Sequence, residues 1–358
     1  MTHHLAKIAL TEMQGELRDQ AMRFCADKSP VSRVRELLTD KDGYDPDVWD
    51  EMRELGWLAI AIPKEYEGLG LEIADVVPIV EAMGKHLMGG PFISTTLAAQ
   101  AILAGGSDVQ KEDWLWRIAD NVTATVALFE PSGSWDLTNV EGKTKVFVEN
   151  LYASEIVVTT VRYEGETRLA IIPAGRIKNA RRETIIDETK RSFTFDVPDI
   201  GRDVLMPAEL TATALERIER TANLLQAAEC AGAASACIDY TVDYLQTRTQ
   251  FGKPIGAYQA LKHPTVDAFI ESEKARSLLY AAATHFEKQG DGEIAVRMAN
   301  AQGEKALSYA ADRSIQFHGG FGFTYDCDAQ LYRRRAMFLA SQFGDAAFHR
   351  ARLAELLL

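Results

Sequence analysis

The chain has 358 residues, of which 39 are Lys or Arg and 52 are Asp or Glu, so its formal net charge is −13. This acidic balance argues against bulk binding of nucleic acid, which needs a basic surface. With 47% hydrophobic and 25% charged residues, the composition is that of a globular protein and argues against disorder. The length exceeds what one hydrophobic core usually serves, so we expect two or three domains.

Residues 1–122 are predicted to be a helical domain with one turn-rich interruption. Apolar residues recur at helical spacing through most of this stretch. The interruption is Ala59–Leu71, where Pro63, Gly68 and Gly70 break the pattern. On either side of it we expect helices at Pro46–Trp57, Ile73–Leu87 and Ile93–Leu103.

Residues 123–205 are predicted to be a small β domain. The runs ATVALFE, KTKVFVE, SEIVVTTV, TRLAIIP and SFTFDV are short, rich in Val, Ile, Thr and Phe, and separated by polar turns. Because these strands cluster in one stretch instead of alternating with helices, a parallel α/β sheet is not expected.

Residues 206–358 are predicted to be a C-terminal four-helix bundle. Four long segments have helical periodicity, and long helices with short connections are typical of a bundle. These segments are Leu215–Arg248, Ala260–Gln289, Glu293–His318 and Asp328–Leu358. The predicted fold class is therefore mainly α with a central small β domain.

The cysteines and the chain start indicate a cytoplasmic protein. Four cysteines are scattered without CxxC or Cys/His clustering, so we expect buried thiols in a reducing compartment and no metal site. The start MTHHLAKIAL lacks the apolar core of a signal peptide. No stretch reaches the ~20 apolar residues of a membrane span.

The order of a helical, a β and a helical domain is similar to that of the acyl-CoA dehydrogenase family, whose middle domain is β-barrel-like. Four motifs carry the resemblance. The first is ELGW at 54–57 with PKEYEGLGL at 63–71, which resembles the family's ELG…P…YGG.GL segment. The resemblance implies FAD as cofactor, an acyl-CoA as substrate and an electron-transferring flavoprotein as electron acceptor.

The second motif, RTQFGKPI at 248–255 followed by YQA at 258–260, is similar to the family's R..FG..I…Q element. An arginine at a helix C-terminus offers a forked donor that matches a diphosphate. Alone, such an arginine is usually a solvated side chain favoured by the helix dipole. The resemblance makes FAD-binding candidates of Arg248, Gln250, Phe251, Ile255 and Tyr258.

The third motif, QFHGGFGF at 316–323, resembles the family's Q..GG.G(Y/F) segment. Glycines permit close approach of a nucleotide, although a Gly-rich helix end is also a common C-cap. Gln316, Gly319 and Gly320 are the candidates here, while His318 is interpreted as structural. The resemblance implies that the second and third motifs reach the FAD of a neighbouring subunit in a homo- or hetero-oligomer, a dimer or a tetramer.

The fourth motif, FEPSGSWD at 129–136, resembles the family's TEPGAGSD but departs from it. Phe129 and Trp135 stand where family members use Thr and Ser to contact flavin and substrate. Farther on, Phe147 either takes the place of the tryptophan that packs on the isoalloxazine or is an ordinary core residue of a strand.

The general base of the family chemistry has no clear counterpart. That chemistry removes an α-proton from an acyl-CoA thioester, usually with a glutamate whose pKa a dry pocket raises. The two family positions for it correspond to Phe343 and Ala222 in this chain. Glu229 is a weak candidate, as a base or as a structural hydrogen-bonding group, and Asp345 ranks below it.

Three functions remain open. The chain is an FAD-dependent acyl-CoA dehydrogenase or the FAD-holding subunit of one, or it is the non-catalytic structural partner subunit of a heteromeric acyl-CoA dehydrogenase. A related flavin monooxygenase is the third possibility, because such enzymes also lack the glutamate. The retained motifs serve a neighbour's FAD and the lost ones serve the chain's own pocket, which favours the partner subunit.

Overall fold

The computed structural model describes residues 10–358, which form two compact units. One unit contains residues 10–35, 77–88 and 223–358, and the other contains residues 36–76 and 89–222. The division into domains at 122/123 and 205/206 stays a prediction.

The described residues are mostly helical, as expected. In chain order the helices are α1 (Glu12–Lys28), α2 (Val31–Leu37), α3 (Pro46–Glu54), α4 (Val77–Lys85), α5 (Phe92–Gly105), α6 (Asp108–Asp120), α7 (Thr211–Thr247), α8 (Gln259–His285), α9 (Asp291–His318), α10 (Ala329–Leu339) and α11 (Ala346–Leu357). The strands are β1 (Ala124–Ala127), β2 (Thr144–Glu149), β3 (Ile156–Tyr163), β4 (Glu166–Pro173), β5 (Arg181–Arg182), β6 (Ser192–Asp196), β7 (Thr249–Gln250) and β8 (Lys253–Pro254). Of the helices in the described part of the chain, none is long and apolar enough to cross a membrane.

The expected single helix over Asp328–Leu358 is wrong, because the chain breaks between α10 and α11. Phe343 and Gly344 have φ values of 53° and 107°, in the left-handed region that a continuing helix cannot use. Asp345 then starts α11 as an N-cap, since its carboxylate accepts from the backbone N–H of Phe348 at 2.7 Å. The apolar spacing hid this break because it continues on both sides.

Close backbone contact joins α4 to α7 in the unit that contains residues 223–358, which we call the helical unit. A Cβ atom added at Gly84 would lie 2.2 Å from the Glu229 carbonyl oxygen. One added at Gly232 would lie 1.9 Å from the Glu81 carbonyl oxygen. The small residues around Gly232 therefore serve close helix packing. In the same unit α1 packs on α4, and α9 packs against α8, α10 and α11.

The β region consists of two three-stranded sheets that share one core. In the first, β3 lies between a parallel β1 and an antiparallel β4, and in the second, β6 lies between antiparallel β2 and β5. Side chains from both sheets, among them Val157, Ile172 and Phe193, form a buried cluster. All five predicted strands are present, and within residues 123–205 the two-residue β5 is the one strand that was not predicted.

The turn-rich segment between α3 and α4 and the buried state of the cysteines are both confirmed. The short 3-10 turn Lys64–Tyr66 lies within the predicted interruption, and a second one, Trp57–Ala59, leads into it. The four cysteines are free and buried: Cys25, Cys230, Cys237 and Cys327.

Candidate functional site

The arginine motif forms a short hairpin at the C-terminal end of α7. The Arg248 N–H donates to the Tyr244 carbonyl at 2.9 Å, which continues the helical pattern. The Ile255 N–H then donates to the Arg248 carbonyl at 2.8 Å and closes the hairpin of β7 and β8. The Phe251 ring at its tip is 91% exposed, and Arg248 is also exposed, with no ion-pair partner among residues 10–358. We name the segment 248–258 the arginine hairpin.

Tyr258, at the end of the arginine hairpin, packs against its tip. Its hydroxyl donates to the Gln250 carbonyl at 3.3 Å, and its ring meets the edge of Phe251 with centroids 6.4 Å apart. The Lys253 ammonium lies 4.4 Å from the Tyr258 ring centroid. Ile255 is half-buried beside it. Of the five candidates in this motif, Tyr258 and Ile255 hold the turn, and Arg248, Gln250 and Phe251 face outward.

The glycine motif forms a 3-10 turn, Gly319–Phe323, directly after α9, and we name residues 319–327 the glycine loop. Gly319 has φ 61° and ends the helix, which accounts for that glycine as a C-cap. Gly320 is different, since a Cβ there would meet no atom within 4 Å and its φ is not positive. Gln316, Gly319 and Gly320 are all exposed.

The fold brings the two motifs to the same end of the helical unit. His318, the last residue of α9, is 3% exposed, and its ring stacks on Tyr244 and Tyr240 near the end of α7, with centroid separations of 4.1 and 4.8 Å. The structural interpretation of His318 agrees with this geometry. The two loops therefore present an arginine, exposed backbone and an exposed aromatic ring at one end of the helical unit, which fits a dinucleotide with a diphosphate.

Glu130 of the fourth motif is part of a buried ion pair. Its Oε1 accepts from the Lys145 ammonium at 2.7 Å, and its Oε2 accepts from the N–H groups of Glu141 and Gly142 at 2.9 and 3.0 Å. Burial lowers the pKa of Lys145 while Glu130 opposes that shift. Burial alone would raise the pKa of Glu130, but Lys145 and the two N–H groups outweigh it and lower the pKa. Glu130 therefore anchors this loop to strand β2.

Phe147 is not a core residue, so that alternative for it is wrong. It lies at a β-bulge of β2, has φ 55°, and is 41% exposed. Its N–H donates to Glu183 Oε2 at 3.2 Å, and the same oxygen accepts from the Ser192 hydroxyl at 2.5 Å. A bulky residue in the left-handed region is strained, and bulges often redirect a side chain. The bulge turns the ring outward.

The weak base candidate Glu229 is buried in an ion pair. It is 3% exposed and its Oε1 accepts from a guanidinium nitrogen of Arg335, which is fully buried. A neighbouring arginine favours the charged carboxylate, and proton uptake would leave a buried cation without its counter-ion. The arrangement is that of a structural pair between α7 and α10.

The loop between α10 and α11 has Phe343, and so no carboxylate, at the family's usual position for the base. A side chain of α9 fixes the end of this loop. The half-buried Glu304 accepts from the Ala346 N–H at the start of α11, and burial raises the pKa of Glu304. His349, fully buried, lies 3.4 Å from Arg297 through its Nδ1. Burial and the Arg297 charge lower the pKa of His349 to about 4. Asp345 caps α11 and so has a structural task as well.

Sequence reasoning missed a second buried charge cluster. Glu81 of α4 accepts from Arg276 at 2.7 Å and from the Tyr280 hydroxyl, both on α8, and lies 3.7 Å from Arg18 of α1. The signal was present, because Glu81 is one acid inside the apolar run VVPIVEAMG. An isolated acid on a buried helix face predicts a buried cation beside it. Residues 10–358 bring together no group of three or more His, Cys, Asp or Glu able to hold a metal ion.

Comparisons with known proteins agree with the geometry. Residues 11–121 match the acyl-CoA dehydrogenase N-terminal domain, and residues 213–358 match the acyl-CoA dehydrogenase C-terminal domain. Acyl-CoA dehydrogenase IpdE2 of Mycolicibacterium smegmatis is 30% identical over 336 residues, which cover 94% of this chain and 96% of that protein.

Solved structures of the same fold include two-protein assemblies. A chain of the ChsE4-ChsE5 complex from Mycobacterium tuberculosis matches with a TM-score of 0.87 and 20% identity, covering 97% of this chain and 98% of that one. A chain of the Tcur3481-Tcur3483 steroid ACAD, in its G363A variant, matches with a TM-score of 0.85 and 25% identity over 97% of this chain and 98% of that one. The fold, the domain matches and the full-length similarity to IpdE2 together establish that this chain belongs to the acyl-CoA dehydrogenase family.

Proposed function

We propose that this chain is the FAD-sharing, non-catalytic subunit of a two-chain acyl-CoA dehydrogenase. Such an enzyme oxidises the Cα–Cβ bond of an acyl-CoA thioester, and FAD, when bound, accepts the hydride. One observation carries the proposal: six of the eight candidate cofactor residues are exposed, whereas Glu229 is buried in an ion pair with Arg335. The exposed residues can contribute to the partner's cofactor site, whereas Glu229 has a structural role in this chain.

The exposed residues suit the diphosphate and the flanking parts of FAD. Arg248 would hold the diphosphate through its forked donor, and Gln316 would hydrogen-bond beside it. Phe251 would contribute an aromatic surface, and Gly320 would allow the cofactor to approach the backbone. Neither Arg248 nor Gly320 is needed by an ion pair or a tight contact within residues 10–358, which leaves both for a ligand.

The apolar surface around these loops supports an oligomer. Phe251, Phe323 and Tyr325 are 91%, 81% and 61% exposed, and Phe321 is 44% exposed. Large exposed aromatic groups in one region mark interaction surfaces. A second family chain that packs there would bury these rings and place its own FAD against Arg248.

The relatives suggest what the partner and the substrate are. A complex of two differently named chains has this fold, so we expect a sister chain that supplies the base. Because another structure of this fold is a steroid ACAD, a ring-bearing acyl-CoA is the first substrate class to test. The electron acceptor proposed from the family is an electron-transferring flavoprotein.

A second candidate function, a self-sufficient acyl-CoA dehydrogenase, is favoured by Phe147. Its strained, exposed ring is what a residue that packs on a flavin requires, and strain of this kind concentrates at functional sites. In that case Glu229 would have to leave Arg335 to accept a proton. The cost of separating a buried ion pair makes this the less favoured reading.

The FAD-holding role is tested by comparing Arg248→Ala with Arg181→Ala and Arg182→Ala. Loss of a charge-assisted contact to a diphosphate should weaken FAD binding by roughly 1.5–3 kcal/mol, about ten- to a hundredfold. Arg181 and Arg182 are matched controls, because they are exposed arginines in β5, outside both cofactor loops. The measurement is an FAD titration of each purified variant, with the sister chain added where it is needed. Equal affinities in all three variants would contradict the assignment.

A further inference from the structure

His318 lies between the two candidate cofactor loops. Its ring is inclined by 25° to that of Tyr244 and by 14° to that of Tyr240, so the three rings form one stack. Tyr240 and Tyr244 are one helical turn apart on α7. The Tyr244 carbonyl accepts the Arg248 N–H, and His318 precedes Gly319 directly. One ring stack thus touches the attachment points of both loops.

We propose that His318 is a positioning residue that couples the arginine hairpin to the glycine loop, so that both face one bound dinucleotide at a fixed spacing. The proposal rests on the proposed FAD-holding function for the identity of the ligand. The coupling itself concerns only this chain and can be measured without FAD.

Further contacts make the stack rigid on the side of the glycine loop. The Tyr240 hydroxyl lies 3.7 Å from the sulfur of Cys327, a fully buried residue that precedes α10 in the chain. The Phe321 ring lies 6.2 Å from the His318 ring. The glycine loop is therefore tied to α7 through His318 and at its far end through Tyr240, and it has little freedom to move independently of the hairpin.

The coupling requires neutral His318. Its Nδ1 lies 2.7 Å from the Ser314 carbonyl, which can only accept, so Nδ1 carries the proton. Its Nε2 is buried and has no hydrogen-bond partner within residues 10–358, so a second proton there would be a buried, unsatisfied donor. Burial accordingly lowers the pKa of His318, against the opposing effects of the Ser314 carbonyl and Asp328. The other titratable groups that face the ring are the hydroxyls of Tyr240 and Tyr244 and the nearby thiol of Cys327.

The sign of the pH effect follows from this lowered pKa. Opening of the loops exposes His318 to water, where its pKa returns to about 6.5. Below that pH the open form gains a proton more readily than the closed form, so acid favours opening. At about pH 5.5, one unit below the ordinary pKa, opening should increase by at most about tenfold.

The test is hydrogen exchange followed by mass spectrometry, on peptides that cover the arginine hairpin and the glycine loop. The variants are His318→Gln, which removes the ring, and His318→Phe, which keeps a flat ring without a titratable proton. His285→Gln is the matched control, since His285 also ends a helix and lies 2.8 Å from the carbonyl four residues earlier, Ala281. Exchange is measured at about pH 7.5 and, after correction for the intrinsic rate, at about pH 5.5.

We expect His318→Gln to increase exchange about three- to tenfold in both loops together, a range set by the strength of aromatic stacking. His318→Phe should keep both loops protected and lose their pH dependence, and His285→Gln should change neither loop. An increase confined to the glycine loop, or equal loosening in His318→Phe and His318→Gln, would overturn the proposal.

An FAD titration of the same variants separates this inference from the proposed function. If the loops are coupled and FAD binds, His318→Gln should weaken FAD binding and His318→Phe should restore it. If the wild-type chain, with or without its sister, binds no FAD, the proposed function fails while the exchange data still decide the coupling. If FAD binds with equal affinity to the wild type and His318→Gln, His318 does not position these loops for it.

Discussion

At the scale of single residues, the structure separates charges that hold the fold from those left for a ligand. Glu229 and Glu81 are buried and each has a basic partner, whereas Arg248 is exposed on a turn. Buried charges persist only when paired, and removing one partner leaves an uncompensated charge in a low dielectric. Exposed arginines have no such constraint and can meet a cofactor.

The structural role of the Glu229–Arg335 pair predicts a large loss of stability in Arg335→Ala. Loss of the buried Arg335 counter-ion of Glu229 should lower the free energy of unfolding by about 3–5 kcal/mol. Arg333→Ala is the matched control, because Arg333 lies on α10 as Arg335 does. It pairs with Asp312 of α9 at 2.7 Å, but the two side chains are 31% and 50% exposed. That surface pair should contribute about 0–1 kcal/mol.

Urea denaturation at neutral pH measures both variants. A double variant, Glu229→Leu with Arg335→Met, replaces the pair by apolar groups and should recover most of the stability lost in Arg335→Ala. Similar small losses in Arg335→Ala and Arg333→Ala would show that Glu229 is not held by its arginine, and would return it to consideration as a base.

The residues that the sequence could locate are those within contiguous motifs. Arg248, Gln316 and Gly320 stand in strings whose order alone marks them, and the structure brings both strings to one end of the helical unit. The partner of Glu229 could not be found in this way, because Arg335 lies 106 residues away in the chain. The outward ring of Phe147 was also unpredictable, since one inserted residue at a bulge reverses the side that a strand residue faces.

At the scale of elements, periodicity located the long helices and most strands, but not the break after α10. Helical spacing is decided by apolar residues and continues across 340–345, where backbone conformation changes at Phe343 and Gly344. The Gly-Asp pair at 344–345 was the available signal, a turn residue followed by an N-cap. This break matters because it forms the loop at which the family places its base.

Within the glycine loop, Gly322 and Gly320 should respond oppositely to alanine. A Cβ at Gly322 would lie 2.2 Å from the Ile315 carbonyl oxygen, and backbone cannot shift cheaply, so Gly322→Ala should displace the loop and lower stability. Gly320→Ala meets nothing within 4 Å and should leave stability within about 0.5 kcal/mol.

Thermal unfolding and FAD titration of these two variants check this prediction. If Gly320 approaches the cofactor, Gly320→Ala should weaken FAD binding without a change of stability. If Gly320→Ala binds FAD as tightly as the wild type, the close approach of the cofactor to that backbone is ruled out.

At the scale of the whole molecule, stability should fall in mild acid. The pKa of His349 is lowered to about 4 by burial and by Arg297. A histidine with a lowered folded pKa takes up its proton first in the unfolded state, so stability is full above about pH 6.5 and decreases as the pH falls toward 4. The shift corresponds to about 3 kcal/mol over this window.

Urea unfolding between about pH 7 and pH 4 measures this dependence. His349→Gln should reduce the loss of stability over the window, whereas His285→Gln should leave it unchanged. His318 contributes in the same direction through its own lowered pKa, so some dependence should remain in His349→Gln. An unchanged slope in His349→Gln would mean that His349 is not the main source.

The central claim, that this chain contributes to a shared FAD site but lacks its own base, is tested most directly by anaerobic flavin bleaching. The chain alone, reconstituted with excess FAD, is mixed with short, long and ring-bearing acyl-CoAs, and reduction is followed by the flavin absorbance. We predict that the flavin of the lone chain stays oxidised, because loss of a general base costs about 10² to 10⁴ in rate, and that adding the sister chain allows bleaching. Bleaching by the lone chain that Glu229→Gln abolishes would contradict the account and identify Glu229 as the base.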